Sequence, residues 1–299
     1  AAGIVVAIGE DVICIAVGDH VVVTLVRSCG QCDACNAGHT VCCSGETALD
    51  RESRLSKASG ESVEQGLRTA AFAEATVVHQ SQVVKIADDI SFVSAALLGC
   101  GVITGFCSVT KIAKVELGAN VVVVGCGGLG LNAVQGAALS DAKIIIAVDI
   151  VERKLSLARD LGATHTINAR AVDPVSKVAE LCGDGTDYVF VTTAQSTSFS
   201  QSIDMLNKYG SSVILGMPPD DDKSFAVDSH ALTTGRKVLG SKLGDTCIRE
   251  DIPRLADLYQ QGKLKLDEIV SKTYSLAEIN AAIADAECGE ALRNVIVFD

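Results

Sequence analysis

Two groups of residues have types and spacings suited to chemistry. The first is a run of cysteines, Cys29, Cys32 and Cys35 followed by Cys42 and Cys43, which with Cys43 reads C-x2-C-x2-C-x7-C. Four thiolates can close a tetrahedral shell around Zn²⁺ and leave no position for water or substrate, so such a site serves structure. Short intervals let one loop wrap the ion, and Cys42 and His39 stand by as spare donors. The second group is Gly125-Cys126-Gly127-Gly128-Leu129-Gly130, between the run Val121 to Val124 and a second apolar run, Ile144 to Val148, that stops at Asp149. In a G-x-G-x-x-G turn, Gly125 permits the tight bend, Gly127 lets backbone approach a pyrophosphate, and Gly130 lets the helix lie close to the strand. The phosphates would rest on amides at the helix N-terminus, Gly128 and Leu129 included. Asp149 follows Gly130 by nineteen residues, close to the interval at which a carboxylate reaches the adenosine ribose. It would repel a 2′-phosphate there, which favours NAD over NADP.

The elements that must position these groups follow from pattern. After Asp149, Val151 to Leu161 reads as a helix, His165 to Ile167 as a strand, Val175 to Leu181 as a helix, Tyr188 to Thr192 as a strand, Ser198 to Tyr209 as a helix and Ser212 to Leu215 as a strand. That alternation predicts a doubly wound parallel sheet with its ligand at the carboxyl ends of the strands, where Thr192, Thr193, Leu215 and Met217 fall. Upstream, Ala1 to Gly9, Val21 to Val26, Ala71 to Val78 and Val83 to Ile86 read as short strands of a β-rich region, and Ser91 to Cys107 as a buried helix. Ser44 to Leu67 reads as a polar surface excursion. Downstream, Ile248 to Gln261 is predicted helical, Ser275 and Glu278 form a capping box for a helix reaching about Glu287, and Arg293 to Phe298 returns as a strand. His20 reads as a surface or hydrogen-bonded residue.

Composition narrows the function classes. With 299 residues, 48% hydrophobic and 21% charged, the chain has room for two globular domains. A net charge of −12 and a pI near 4.9 argue against nucleic acid or an anionic membrane as a partner. Val121 to Leu139 has roughly the length of a membrane span, yet it carries five glycines, Asn132 and Gln135. Twelve cysteines without a secretory signal imply reduced thiols, metal and a cytoplasmic setting. Cys107, Cys126, Cys182, Cys247 and Cys288 read as small buried hydrophobes.

Taken in order, the cysteine lobe, Leu98-Gly99-Cys100-Gly101 with Thr104-Gly105, and the glycine turn ending at Asp149 resemble the zinc-containing alcohol dehydrogenases of the medium-chain dehydrogenase/reductase superfamily, from Gly3 to the last residues. The resemblance implies an α/β protein. A Rossmann coenzyme domain, residues 102–242, is inserted in a GroES-like β-barrel, residues 1–101 and 243–299, here N-terminally incomplete. It implies structural zinc on Cys29, Cys32, Cys35 and Cys43, chosen over Cys42 by the family spacing. It also implies a catalytic-zinc ligand at Cys100, Thr104 near the nicotinamide, Asp149 and Lys154 around the adenosine ribose, and Arg293 on the pyrophosphate. The implied reaction is hydride transfer between a small alcohol or aldehyde and NAD, with zinc as Lewis acid, in a homodimer or homotetramer paired through Phe225 to Leu239.

The family's remaining catalytic-zinc ligands, and the hydroxyl that passes the substrate proton, are expected upstream of Ala1. Two rival readings follow: an NAD-binding, zinc-stapled homologue without zinc chemistry, and a zinc-independent quinone or enoyl reductase. The cysteine lobe and Asp149 speak against the second.

Overall fold

The computed structural model describes residues 1–51, 55–222 and 224–298. The chain divides into two units, one of Ala1–Ile103 with Thr246–Asp299 and one of Thr104–Asp245.

The second unit is built on six parallel strands, Asn120–Val124, Ile144–Asp149, His165–Asn168, Thr186–Val191, Leu206–Ile214 and Lys237–Gly240. Numbered one to six along the chain, they lie side by side in the order 3-2-1-4-5-6. This is the doubly wound arrangement whose order reverses beside the first strand, where the glycine turn begins. Val121, Val122 and Val123 are fully buried, as expected of a parallel strand covered on both faces. On one face Val122, Val148 and Val191 pack in a core with Phe199 and Ile203, and the Phe199 and Phe225 rings meet edge to face at 5.4 Å. The helix Gly128–Leu139 is buried along nearly its whole length. Its glycines and those of its neighbour admit close packing: a Cβ on Gly105 would overlap the Leu129 carbonyl, and one on Gly136 would lie 3.2 Å from Val109 Cβ.

The helix expected over Ser198 to Tyr209 is Ser196–Asp204, and the strand after it starts at Leu206 rather than Ser212. Pairing with Thr186–Val191, through a register shift between Leu206 and Ser211, claims residues whose local pattern suits a helix.

The first unit holds a three-stranded antiparallel sheet, Ala2–Ile4, His20–Val23 and Val83–Lys85, and a parallel pair, Val270–Ser275 with Arg293–Val297. The first strand is shorter than the predicted Ala1 to Gly9. Val6 and Ile8 beyond it are exposed. Ala71 to Val78 forms no strand; the preceding residues Leu67, Arg68 and Ala70 turn the backbone into the left-handed region. The Ser44 to Leu67 excursion contains the helical turn Ala48–Arg51 and a small hairpin, Leu55–Ser56 with Ser62–Val63; its residues 52–54 lie outside those described. The capping box forms, with the Ser275 amide donating to Glu278 at 3.0 Å. His20, expected as a surface or hydrogen-bonded residue, is instead half-buried: its ring lies tilted at 43° to Phe92 at a centroid distance of 4.7 Å, and its Nδ1 is buried with no hydrogen-bond partner.

The predicted buried helix runs Phe92–Ala113 with 78% of its most apolar window buried, although by length and composition alone it could cross a membrane. Ser91 caps its start, accepting from the Ser94 amide at 3.2 Å. At Leu98–Val102 it widens into a π-helical turn, a local insertion common at functional positions.

Candidate functional site

Within the parallel sheet, the glycine turn is closed from three directions. Gly125 has φ +94°, and a Cβ there would meet Thr192 Oγ1 at 2.7 Å and Thr193 Cγ2 at 2.8 Å. Thr192 Oγ1 donates to the carbonyls of Val124 (3.1 Å) and Gly125 (2.8 Å). A Cβ on Gly130 would overlap the Gly125 carbonyl, whereas nothing lies within 4 Å of one built on Gly127. The turn is thus packed tight where helix meets strand and open where a diphosphate would approach the helix amides.

Asp149 ends the second strand, and its carboxylate organises the turn. Oδ2 accepts from the Cys126 amide at 2.6 Å; Oδ1 accepts from Ile150 (2.7 Å) and Val151 (2.9 Å). Of about four lone-pair positions on a carboxylate, these bonds leave one for a ribose hydroxyl. Cys126 is fully buried, and burial, helped by the Asp149 charge, pushes its thiol far above the usual range. Lys154 is buried on the helix Glu152–Asp160.

At the neighbouring strand ends Leu215 is buried and Met217 is 86% exposed. Gly216 presses on the Thr193 carbonyl, and Thr193 Oγ1 is buried with no hydrogen-bond partner. An open cradle and an orphaned hydroxyl at the sheet's carboxyl end fit a dinucleotide. Thr104, also in this unit, is buried, and its carbonyl accepts from Ser108 Oγ at 2.6 Å.

In the other unit the four sulfurs of Cys29, Cys32, Cys35 and Cys43 lie within 4.8 Å of one another, and Cys32 and Cys43 are 3.9 Å apart. Ligands at the usual Zn–S distance on a tetrahedron stand about 3.8 Å apart, so the quartet fits Zn²⁺. Cys42 is exposed on an adjoining turn. Amides of Cys29 (3.2 Å) and Gly45 (3.3 Å) donate to Cys43 Sγ. Amides of Cys35 and Ser44 hold the Cys32 thiol down to about 6, and those of Gln31 and Cys32 lower Cys29. Desolvation pushes Cys35 up to about 11. N–H donors already aimed at sulfur favour the thiolates that a metal requires.

Two residues around this lobe were not singled out from sequence. Gly45 is one, since a Cβ there would sit 2.5 Å from Cys29 Cβ. Its signal was a glycine two positions after the fourth cysteine. Arg27 is the other. It is buried and paired with Asp50; an arginine ending a valine-rich run carries no distinguishing signal. Burial works to raise the Asp50 carboxyl, but hydrogen bonds from Arg27 and Thr47 hold it down at about 2.

Cys100 is exposed on the π-helical turn, with Gly99 and Gly101 buried on either side. A Cβ on Gly101 would lie 2.7 Å from the Arg293 guanidinium. Burial lowers the Arg293 pKa, against the influence of nearby Cys100. Among the described residues no second group of three or more His, Cys, Asp or Glu ligands gathers with Cys100. A complete catalytic-zinc shell therefore does not fit the described residues. Cys107 and Cys126 are buried as expected, Cys182 and Cys247 partly so; Cys288 is exposed just past a helix end.

The family profile described as "Alcohol dehydrogenase GroES-like domain" matches residues 1–88, and "Zinc-binding dehydrogenase" matches residues 128–261. An S-(hydroxymethyl)glutathione dehydrogenase of Saccharomyces cerevisiae is 34% identical, over 100% of this chain and 80% of its own. An NDMA-dependent alcohol dehydrogenase of Amycolatopsis methanolica is 36% identical, over 99% and 82%. Among solved structures, a benzyl alcohol dehydrogenase from Acinetobacter calcoaceticus superposes with a TM-score of 0.91 at 33% identity, covering 100% of this chain and 82% of that one.

Proposed function

The chain belongs to the zinc-dependent alcohol dehydrogenases, oxidoreductases that act on CH–OH groups of small molecules with zinc and, typically, NAD, and on that premise we propose how its residues divide the work. The amides of Gly127, Gly128, Leu129 and Gly130 bind the coenzyme pyrophosphate, with Gly125 setting the bend. Asp149 accepts from the adenosine ribose with its remaining lone pair, and Lys154 stands beside it. Thr192, Thr193, Leu215 and Met217 line the cleft at the strand ends. Thr104 orients the nicotinamide, and Arg293 supplies a guanidinium for the pyrophosphate. Once bound, NAD supplies the hydride acceptor; the protein's share is orientation and electrostatics. Cys100 would supply one thiolate to a catalytic zinc, whose other ligands do not gather around it among the described residues. Cys29, Cys32, Cys35 and Cys43 hold a structural zinc that leaves no position for substrate.

Residues 102–242 then form the coenzyme domain, and 1–101 with 243–299 the substrate domain. Relatives named for S-(hydroxymethyl)glutathione and benzyl alcohol support a primary alcohol as substrate. Among the described residues Lys237–Gly240 has a sheet neighbour on one side only, Leu206–Ile214, which supports a homodimer or homotetramer built along that edge. The free cysteines support a reducing, cytoplasmic setting.

The observation that carries this reading is the glycine turn tied to Asp149 and left open at Gly127. Calorimetric titration with NAD and with NADP tests it. NAD should bind, and NADP more weakly, because its 2′-phosphate meets the Asp149 carboxylate. Absence of NAD binding, or tighter binding of NADP, would overturn it.

A further inference from the structure

The loop that carries the cysteine quartet leaves the fold at Arg27 and returns at Gly45 to Asp50. One buried guanidinium spans the two stems. Arg27 Nη2 donates to the Gly45 carbonyl at 3.3 Å, and Nη1 donates to Thr47 Oγ1 at 3.1 Å and to the Asp50 carboxylate. The Arg27 side chain is 3% exposed. Asp50 also accepts from the Thr47 amide at 2.6 Å, so the returning stem is folded around the cation.

Gly45 transmits this contact to the ligands. Its amide donates to Cys43 Sγ at 3.3 Å, and its Cα lies so close to Cys29 that a Cβ would meet Cys29 Sγ at 2.6 Å. Cys29 is two residues after Arg27, and Cys43 two before Gly45. The first and last ligands are therefore brought together by the stems rather than by the metal alone. These three acceptors of Arg27 are all oxygens, so its link to the sulfurs runs through Gly45.

We propose that Arg27 is a positioning residue for the structural metal: by clasping Gly45, Thr47 and Asp50 it holds Cys29 and Cys43 at ligand spacing and slows release of zinc from the quartet. This rests on reading the four cysteines as zinc ligands. Outer-shell partners of metal ligands commonly change affinity by about 10–100-fold, and the clasp acts on the closure of the lobe, so the effect should fall on the rate of zinc loss.

The test uses the zinc-loaded full chain and a chromophoric chelator in excess, following metal release with time. Arg27→Gln should release the quartet's zinc about tenfold faster or more. Arg27→Lys retains the charge but cannot fork between the Gly45 carbonyl and Asp50, and should fall between Arg27→Gln and the parent. Val22→Ala, in the buried core of the same unit, controls for general destabilisation: matched to Arg27→Gln in melting temperature, it should release zinc near the parental rate. Should Arg27→Gln not fold, Thr47→Val and Asp50→Asn decide, each expected to speed release severalfold. Parental release rates in whichever clasp variants fold, or equal acceleration in Val22→Ala, would overturn the proposal. A parent chain with no zinc on the quartet would remove the ligand reading, and the clasp with it; zinc present but indifferent to the clasp variants would refute the clasp alone.

Discussion

Replacing Asp149 with asparagine tests whether this carboxylate builds the glycine turn as well as making the proposed contact with coenzyme. The aspartate accepts three backbone N–H bonds, one from Cys126 in the turn and two from Ile150 and Val151. An asparagine has one accepting oxygen. It can keep the pair from Ile150 and Val151 and point its amino group at the Cys126 amide, or keep Cys126 and oppose the other two. In the better case one fully buried donor, at Cys126, loses its acceptor at a cost of about 1–3 kcal/mol, and the two remaining bonds lose their charge assistance. The sum is about 2–4 kcal/mol. At about 3 °C per kcal/mol, melting of the coenzyme-free protein should fall by about 6–12 °C. NAD affinity, which on the proposed ribose contact additionally loses a charged acceptor, should weaken about 10–100-fold. Calorimetry measures both, as a melting scan without coenzyme and an NAD titration below the lowered transition. An Asp149→Asn protein that melts with the parent and binds NAD equally well would refute the reasoning; weaker binding with unchanged melting would show that the carboxylate touches coenzyme without supporting the turn.

Gly130→Ala places a methyl group on the Gly125 carbonyl; the helix must back away from the turn, costing about 1–3 kcal/mol and most of the NAD affinity, read by the same titration. Lys114 ends a helix in the left-handed region at φ 52° with an exposed side chain, so Lys114→Gly should raise stability in urea by about 0.5–1 kcal/mol. Asp50, held at about 2 and so below the ordinary carboxylate range, has a depressed folded-state pKa. Its contribution is therefore full above pH 4 and is lost as pH falls through about 2, amounting to about 1 kcal/mol after allowing for solvent screening. Asp50→Asn should be less stable than the parent at pH 6, and the gap should close towards pH 2 in urea titrations.

The fold of the glycine turn was legible because its constraints are local: β-branched residues make the strand, glycines make the bend, and the acid falls at a fixed interval. The cysteine loop was legible for the same reason. What escaped depended on partners distant in the chain. Leu206 to Tyr209 reads as helix and becomes strand because Thr186–Val191 lies beside it. Ala71 to Val78 has strand composition but pairs with no strand among the described residues, and Phe72 and Val77 are left exposed. Arg27 meets Asp50 across twenty-three residues with no periodicity to announce it. Cys288 looks like any small apolar residue in sequence, and only its place past a helix end exposes it.

The helix Gly128–Leu139 has almost no surface of its own, and this bears on how the protein is made. A segment without a polar face gains nothing by curling up alone in water. Its seat exists only when Asn120–Val124 is flanked by both Ile144–Asp149 and Thr186–Val191, and the last of these leaves the ribosome some fifty residues after the helix itself. Until then the nascent chain carries an apolar, glycine-rich stretch with nowhere to dock; once seated, that stretch should be among the last parts of the unit to exchange its amide hydrogens with solvent.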